Sequence, residues 1–251
     1  MKRTMKGRLE LAFSIILIGF VPLYHANPIT LAPGTLSLPG GATLTLTEGE
    51  QFRLVYVTAD QYAATSSNIA TYNTDVDTEA PNITALAGLA WTAIASTETT
   101  SALQNITPDG VPVYNFGGYE VAPDDGSAPG GLFSGSDLLN PILYDEHGTP
   151  LATIVWTGTQ PDGTPVIGYA LGDSLTNEGS SPFINHDWIT TTPDHSFSTE
   201  SLYGVSDLIT VSSDGSLATP EPGTVRVIMI GGMFLVGKMR SRRTKGSYRK
   251  S

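Results

Sequence analysis

An α+β body is what this 251-residue chain predicts, on three observations. Residues 52–58 form a dense run of β-branched and aromatic side chains, the strongest strand signal in the sequence. Residues 68–80 place Ile69, Tyr72, Val76 and Ala80 three and four apart, the spacing of one helix face. The other apolar runs are short and strand-like, separated by long loops of Asp, Gly, Ser and Pro. One helix among several strands points to α+β rather than to a two-sheet sandwich. No internal repeat is present.

The elements follow in order. Residues 43–47 alternate Thr and Leu and predict an edge strand, and residues 52–58 predict the first central strand. Ser66 or Ser67 offers an N-cap for the helix, and Pro81 ends it. Residues 89–95 predict a second strand, and residues 111–115 a third that leads into a Gly117-Gly118 turn. Residues 123–136 read as a long loop. Residues 154–159 predict a fourth strand, closed by a turn at Asp162-Gly163. Residues 177–199 read as a second long polar loop carrying Trp188, and residues 201–211 as the last strand.

Charge is divided sharply along the chain. Of 13 basic residues, Lys2, Arg3, Lys6 and Arg8 lie at the start and eight lie from Arg226 onward, which leaves Arg53 alone in the body. Of 24 acids, only Glu10 and Glu221 fall outside it, so the body sets 22 acids against one base. Such a surface excludes ordinary nucleic-acid binding, which needs cations facing phosphate. It suits solubility and divalent cations.

The absence of cysteine removes disulfides, thiolate nucleophiles and Cys-ligated metals. The four histidines, His25, His147, His186 and His195, form no zinc-hydrolase spacing. His186 and His195, flanked by Asp187 and Asp194, sketch a two-His, two-carboxylate site, against the plainer reading of exposed loop histidines. Asp75, Asp77 and Glu79 cluster on the helix but lack the Gly of an EF-hand loop, so they read as a solvated face. Asp124-Asp125-Gly126 and Asp145-Glu146 read as loop acids. A carboxylate pair can hydrolyse glycosidic bonds, but spacing selects no pair among 22. Trp91 and Trp156 sit in strands and read as core, whereas Trp188 either stacks on a ligand or caps the core. No nucleophile elbow, P-loop or dinucleotide fingerprint occurs.

Both ends read as export signals. Residues 1–26 combine a basic start, an apolar run over 11–23 and a small residue at Ala26, the pattern of a secretory signal peptide cut by signal peptidase. Residues 220–251 hold Pro220, Glu221 and Pro222, an apolar segment over 225–237 and a basic end that includes Lys238, Arg240, Arg242 and Arg243. Apolar residues followed by clustered cations behave as a stop-transfer element, although thirteen residues fall short of the roughly 20 a full span needs. This layout resembles the PEP-CTERM sorting signal of exported Gram-negative bacterial proteins. The resemblance implies an exosortase-type sorting enzyme as partner, export across the inner membrane, a transient membrane anchor, and delivery to the cell surface or an exopolysaccharide matrix. A plain short anchor is the alternative.

The body between a lead-in at 27–49 and a linker at 213–219 carries a second resemblance. Residues 52–58, residues 88–97, the run from 111 to 122, and Val155-Trp156-Thr157-Gly158-Thr159 with its Asp162-Gly163 turn look like a C-type-lectin-like or endostatin-like domain over 50–212. Gln160-Pro161-Asp162 spells a tripeptide with which such lectins hold calcium and a sugar, and Asp187 lies 25 residues on. The turn alone explains Asp162-Gly163 equally well. These resemblances imply a single lectin-like domain in a non-enzymatic surface or matrix protein. Polysaccharide or protein is the ligand class expected for its loops, with no cofactor required and calcium as the cation to test. The alternative is an exported glycan hydrolase using a carboxylate pair.

Overall fold

The computed structural model describes residues 29–213. The signal segment, Pro220, Glu221, Pro222, the apolar run and the basic end lie outside the described residues. Among the described residues no helix is long and apolar enough to cross a membrane.

In chain order the elements are β1 (Ile29–Leu31), β2 (Gly34–Ser37), β3 (Thr43–Leu46), β4 (Gln51–Val57), β5 (Tyr62–Ala63), α1 (Ile69–Glu79), β6 (Trp91–Ala93), α2 (Ala102–Ile106), β7 (Val113–Asn115), β8 (Glu120–Ala122), β9 (Ile154–Trp156), β10 (Leu175–Ser180), β11 (Pro193–His195), β12 (Thr199–Glu200), β13 (Tyr203–Ser206) and β14 (Ile209–Val211). The architecture is mixed α+β, as the sequence predicts, and dominated by short strands.

β4 is the axis of a seven-stranded sheet. One of its edges pairs in parallel with β7, which pairs with β8. Its other edge pairs antiparallel with β14 near its start and with β13 near its end. β13 then pairs with β6, and β14 with β1. Because side chains alternate along a strand, β4 serves two cores. Phe52, Leu54 and Tyr56 enter one, together with Tyr72 and Val76 of α1. Val55 and Val57 enter the other, with Ala102 and Ile106 of α2, Phe133 and Trp188. Burial on both faces explains why β4 is nearly all apolar rather than alternating.

The free edge of β6 is closed by side chains. Asp77 of α1 accepts the Trp91 amide at 2.9 Å, and Asn73 accepts the Ala93 amide at 3.0 Å. Asn105 of α2 donates to the Ala93 carbonyl at 2.8 Å and pairs with Asn73 amide to amide. These bonds satisfy an edge that would otherwise offer itself to a second chain.

Several expectations are corrected. Asn68 caps α1, its Oδ1 accepting the Ala70 amide at 3.2 Å; neither Ser66 nor Ser67 is the cap. Asp77 and Glu79 are not simply a solvated face, since Glu79 accepts the Tyr62 hydroxyl. A second helix, α2, exists because Ser101 and Gln104 form a capping box. A further strand, β8, follows the Gly117-Gly118 turn. The run 201–211 breaks at Asp207-Leu208 into β13 and β14. The largest correction concerns residues 177–199, which are not one polar loop. They hold most of β10, a 3-10 turn at His186–Trp188, β11 and the start of β12. Several buried polar residues there are bonded, Asn177 to Thr190 at 3.1 Å and Ser181 to the Leu151 carbonyl at 2.6 Å, whereas the Glu178 carboxylate is not among the described residues.

Candidate functional site

β10, β11 and β12, the strands that sequence reasoning placed in a polar loop, each contribute one carboxylate to a common cluster. β10 pairs antiparallel with β11, bringing Thr176 opposite Asp194, and with β9, bringing Glu178 opposite Trp156. β12 pairs with β5 and carries Glu200. The result is a triad, Glu178, Asp194 and Glu200, whose carboxylate oxygens can all lie within 4.8 Å of one another. Among the described residues it is the one such cluster of three.

The triad's electrostatics are uneven. Glu178 is only 9% exposed, and no hydrogen bond to its carboxylate is present among the described residues. Burial, then the charges of Glu200 and Asp194, push its pKa up to about 7. Burial and Asp194 also raise Glu200. Asp194 moves the other way: the His195 amide and the Ser198 side chain hydrogen-bond it and hold it below the ordinary carboxylate range. The body's single base, Arg53, is engaged with Asp109 and Asp125. The triad therefore gathers like charge with no Lys or Arg beside it, His195 next to Asp194 being the nearby base, and its oxygens are spaced as a divalent cation requires. Calcium lies 2.3–2.6 Å from oxygen ligands, so ligand oxygens on either side of it are about 5 Å apart at most, and the separation within the triad fits. Water would complete its shell.

Most sites suggested by the sequence do not assemble. Asp162 folds back on its own turn, accepting the Thr164 amide at 3.0 Å, with Gly163 at a φ of 79°. Asp187 accepts from Asn185 at 3.0 Å. Neither joins the triad, so Gln160-Pro161-Asp162 with Asp187 is no cation cluster in the described structure. His186 donates from Nε2 to the Gly135 carbonyl at 2.7 Å, while His195 stacks on Phe197. The two-His site is thus not formed, although its member Asp194 belongs to the triad.

Trp91 and Trp156 are core, as expected. Trp188 is core too, 1% exposed and packed against Phe133 and Tyr203, which rules out stacking on a ligand in this conformation. Asp124 caps its own turn through the Gly126 amide, and Asp145 caps the turn at His147 and Thr149. Asp125 and Glu146 are buried rather than ordinary loop acids.

Sequence reasoning missed Glu178 and Glu200. They are 22 positions apart and meet only through strand pairing, so no local spacing marks them. In comparisons with known proteins, no family model and no curated protein matches this chain.

Proposed function

We propose that this is an exported, exosortase-sorted protein of the cell surface or exopolysaccharide matrix, and that its C-type-lectin-like body is a non-catalytic binding module that takes a divalent cation. The tail's motif, apolar run and basic end support the sorting route. The sheet-centred α+β body with long connections on one core supports the lectin-like reading of residues 50–212. The observation that carries the binding role is the triad: a half-buried Glu178 carboxylate with two more carboxylates beside it and no Lys or Arg to offset them. Calcium is the cation of choice, because the donors are oxygen only.

Terbium luminescence on the full chain tests this. Terbium replaces calcium at oxygen sites and is excited through a nearby Trp, and Trp156 stands opposite Glu178 in the β9–β10 pair. Saturable emission that calcium displaces and Glu178→Gln removes supports the reading. Emission unchanged by Glu178→Gln refutes it.

One observation favours a second reading, an exported glycan hydrolase. Glu178 is driven up and Asp194 down, which is how a general acid differs from an ionised partner. Turnover on a panel of glycans, lost in both Glu178→Gln and Asp194→Asn, would select it.

A further inference from the structure

A second region, separate from the triad, gathers carboxylates in a concave site. A cleft of about 660 Å³ lies between the 3-10 turn Pro39–Gly41, the C-terminal end of α1 with the residues after it, and the turn after Asp145. That volume falls in the range of small-ligand sites. Its walls are fixed by close backbone contact. At Gly40 an added Cβ would stand 2.5 Å from the Gly148 carbonyl oxygen, and at Gly148 one would stand 2.2 Å from the Pro39 carbonyl. Both glycines hold positive φ, 75° each, so the two turns meet only because neither carries a side chain.

Two carboxylates line the cleft, Glu79 and Glu146, with no Lys or Arg beside them. Glu79 accepts the Tyr62 hydroxyl at 2.9 Å on one oxygen. Glu146 is 5% exposed. Its Oε2 accepts the Ala59 amide at 2.9 Å, while Oε1 is sealed from water and accepts no hydrogen bond of good geometry. The polar group facing Oε1 is Nδ1 of His147 at 3.0 Å, on a side chain 73% exposed. A buried acceptor left in this state is costly, and a nitrogen donor already stands where a stronger one would bind. Pro39, Pro81 and Ile83 add an apolar wall.

We propose that this cleft binds a primary alkylammonium group, the charged nitrogen between Glu146 and Glu79 in the place of the His147 ring and the methylene stem along Pro39, Pro81 and Ile83. A compact ammonium on a flexible stem suits two carboxylates presented from separate segments, whereas guanidinium requires one flat carboxylate face for a bidentate grip. With two carboxylates, each partly engaged, the cleft lacks the oxygen count of a calcium site. The same chemistry comes from two sources, a lysine side chain of a partner protein or a free aliphatic diamine.

The test is an amide-resolved NMR titration of the full chain at low ionic strength with 1,5-diaminopentane and, separately, with a doubly capped lysine. 1,5-Pentanediol is the neutral control. The expected result is saturable shifts confined to residues 78–83 and 146–148 with at least one amine and none with the diol. Saturation by capped lysine assigns a protein partner, and saturation by the diamine alone assigns a free amine. Glu146→Gln weakens binding about ten-fold or more through loss of a charge-assisted bond. Asn82→Trp, at the exposed rim, blocks entry without touching the buried carboxylate, which keeps the test decisive if Glu146→Gln misfolds. Glu178→Gln leaves amine binding unchanged. Absence of saturable shifts with both amines overturns the proposal. So do shifts spread over all acidic surfaces, or binding unaltered by Asn82→Trp.

Discussion

Arg53 Nε lies 2.7 Å from Asp125 Oδ2, with the two side chains 5% and 0% exposed. The body's single cation is thus spent inside. Arg53 also donates to the carbonyls of Ser206 at 2.9 Å and Thr107 at 3.0 Å and to Asp109 at 2.6 Å. Asp125 accepts the amides of Asp109, Gly110 and Val111. The pair ties the centre of β4 to the β13–β14 junction, to the loop before β7, and to Thr107, which caps α2 at a left-handed φ of 48°.

Arg53→Met leaves Asp125 as an unpaired buried charge. The expected cost is about 3–5 kcal/mol, seen as a lower urea midpoint with an unchanged m-value. A loss within the range of a surface pair, under about 1 kcal/mol, would contradict the buried pairing.

Gly179 sits in β10 beside Glu178, where an added Cβ would lie 2.2 Å from the Trp188 carbonyl oxygen. Gly179→Ala is expected to destabilise by about 1–3 kcal/mol, as overpacking does, and to weaken cation binding by displacing Glu178. Thermal melting and terbium emission read the two effects separately.

The legible parts of this chain were those whose signal is local. Residues 52–58 stood out because β4 is apolar on both faces, and Ile69, Tyr72 and Val76 because one helix face meets the core. β10 was hidden because Thr176, Asn177, Glu178 and Ser180 are buried polar residues, and burial of that kind leaves no hydrophobic period to read. α2 was missed because a five-residue helix is too short for periodicity, although Ser101 and Gln104 spell its capping box. At the triad, Asp194 drew notice only for its neighbour His195. Glu178 and Glu200 are joined by pairings that tertiary structure alone determines.

The acidity of Glu178 sets a pH dependence. Its folded pKa, about 7, lies above the ordinary carboxylate value near 4.3, so the folded state binds the extra proton. The stability this gives is full below that ordinary value and is lost as pH rises through about 7. Asp207, raised by burial to about 6, and Glu146, raised by burial, act in the same direction. In EDTA, Tm is expected to fall between about pH 5 and pH 8, and Glu178→Gln to remove part of that fall. A fall of equal size in the variant would assign the effect to the other raised carboxyls, Asp207, Glu146, Glu200 and Asp75.

The sorting proposal predicts a mass. Replacing Pro220, Glu221 and Pro222 by Ala in a host that has the sorting enzyme leaves the body attached to its tail and retained with the membrane fraction. Processing identical to that of the unaltered chain would reduce the tail to a plain anchor.

The central claim, that the triad is a cation site in a binding module, is tested most directly by melting the full chain at about pH 7.5 in calcium and in EDTA, with Glu178→Gln alongside. Binding to the folded state alone raises stability by RT ln(1 + [L]/Kd), about 2.7 kcal/mol at a hundred-fold excess over Kd. The account predicts a Tm several degrees higher in calcium for the unaltered chain and no difference for Glu178→Gln. Identical melting of the unaltered chain in calcium and in EDTA would contradict it.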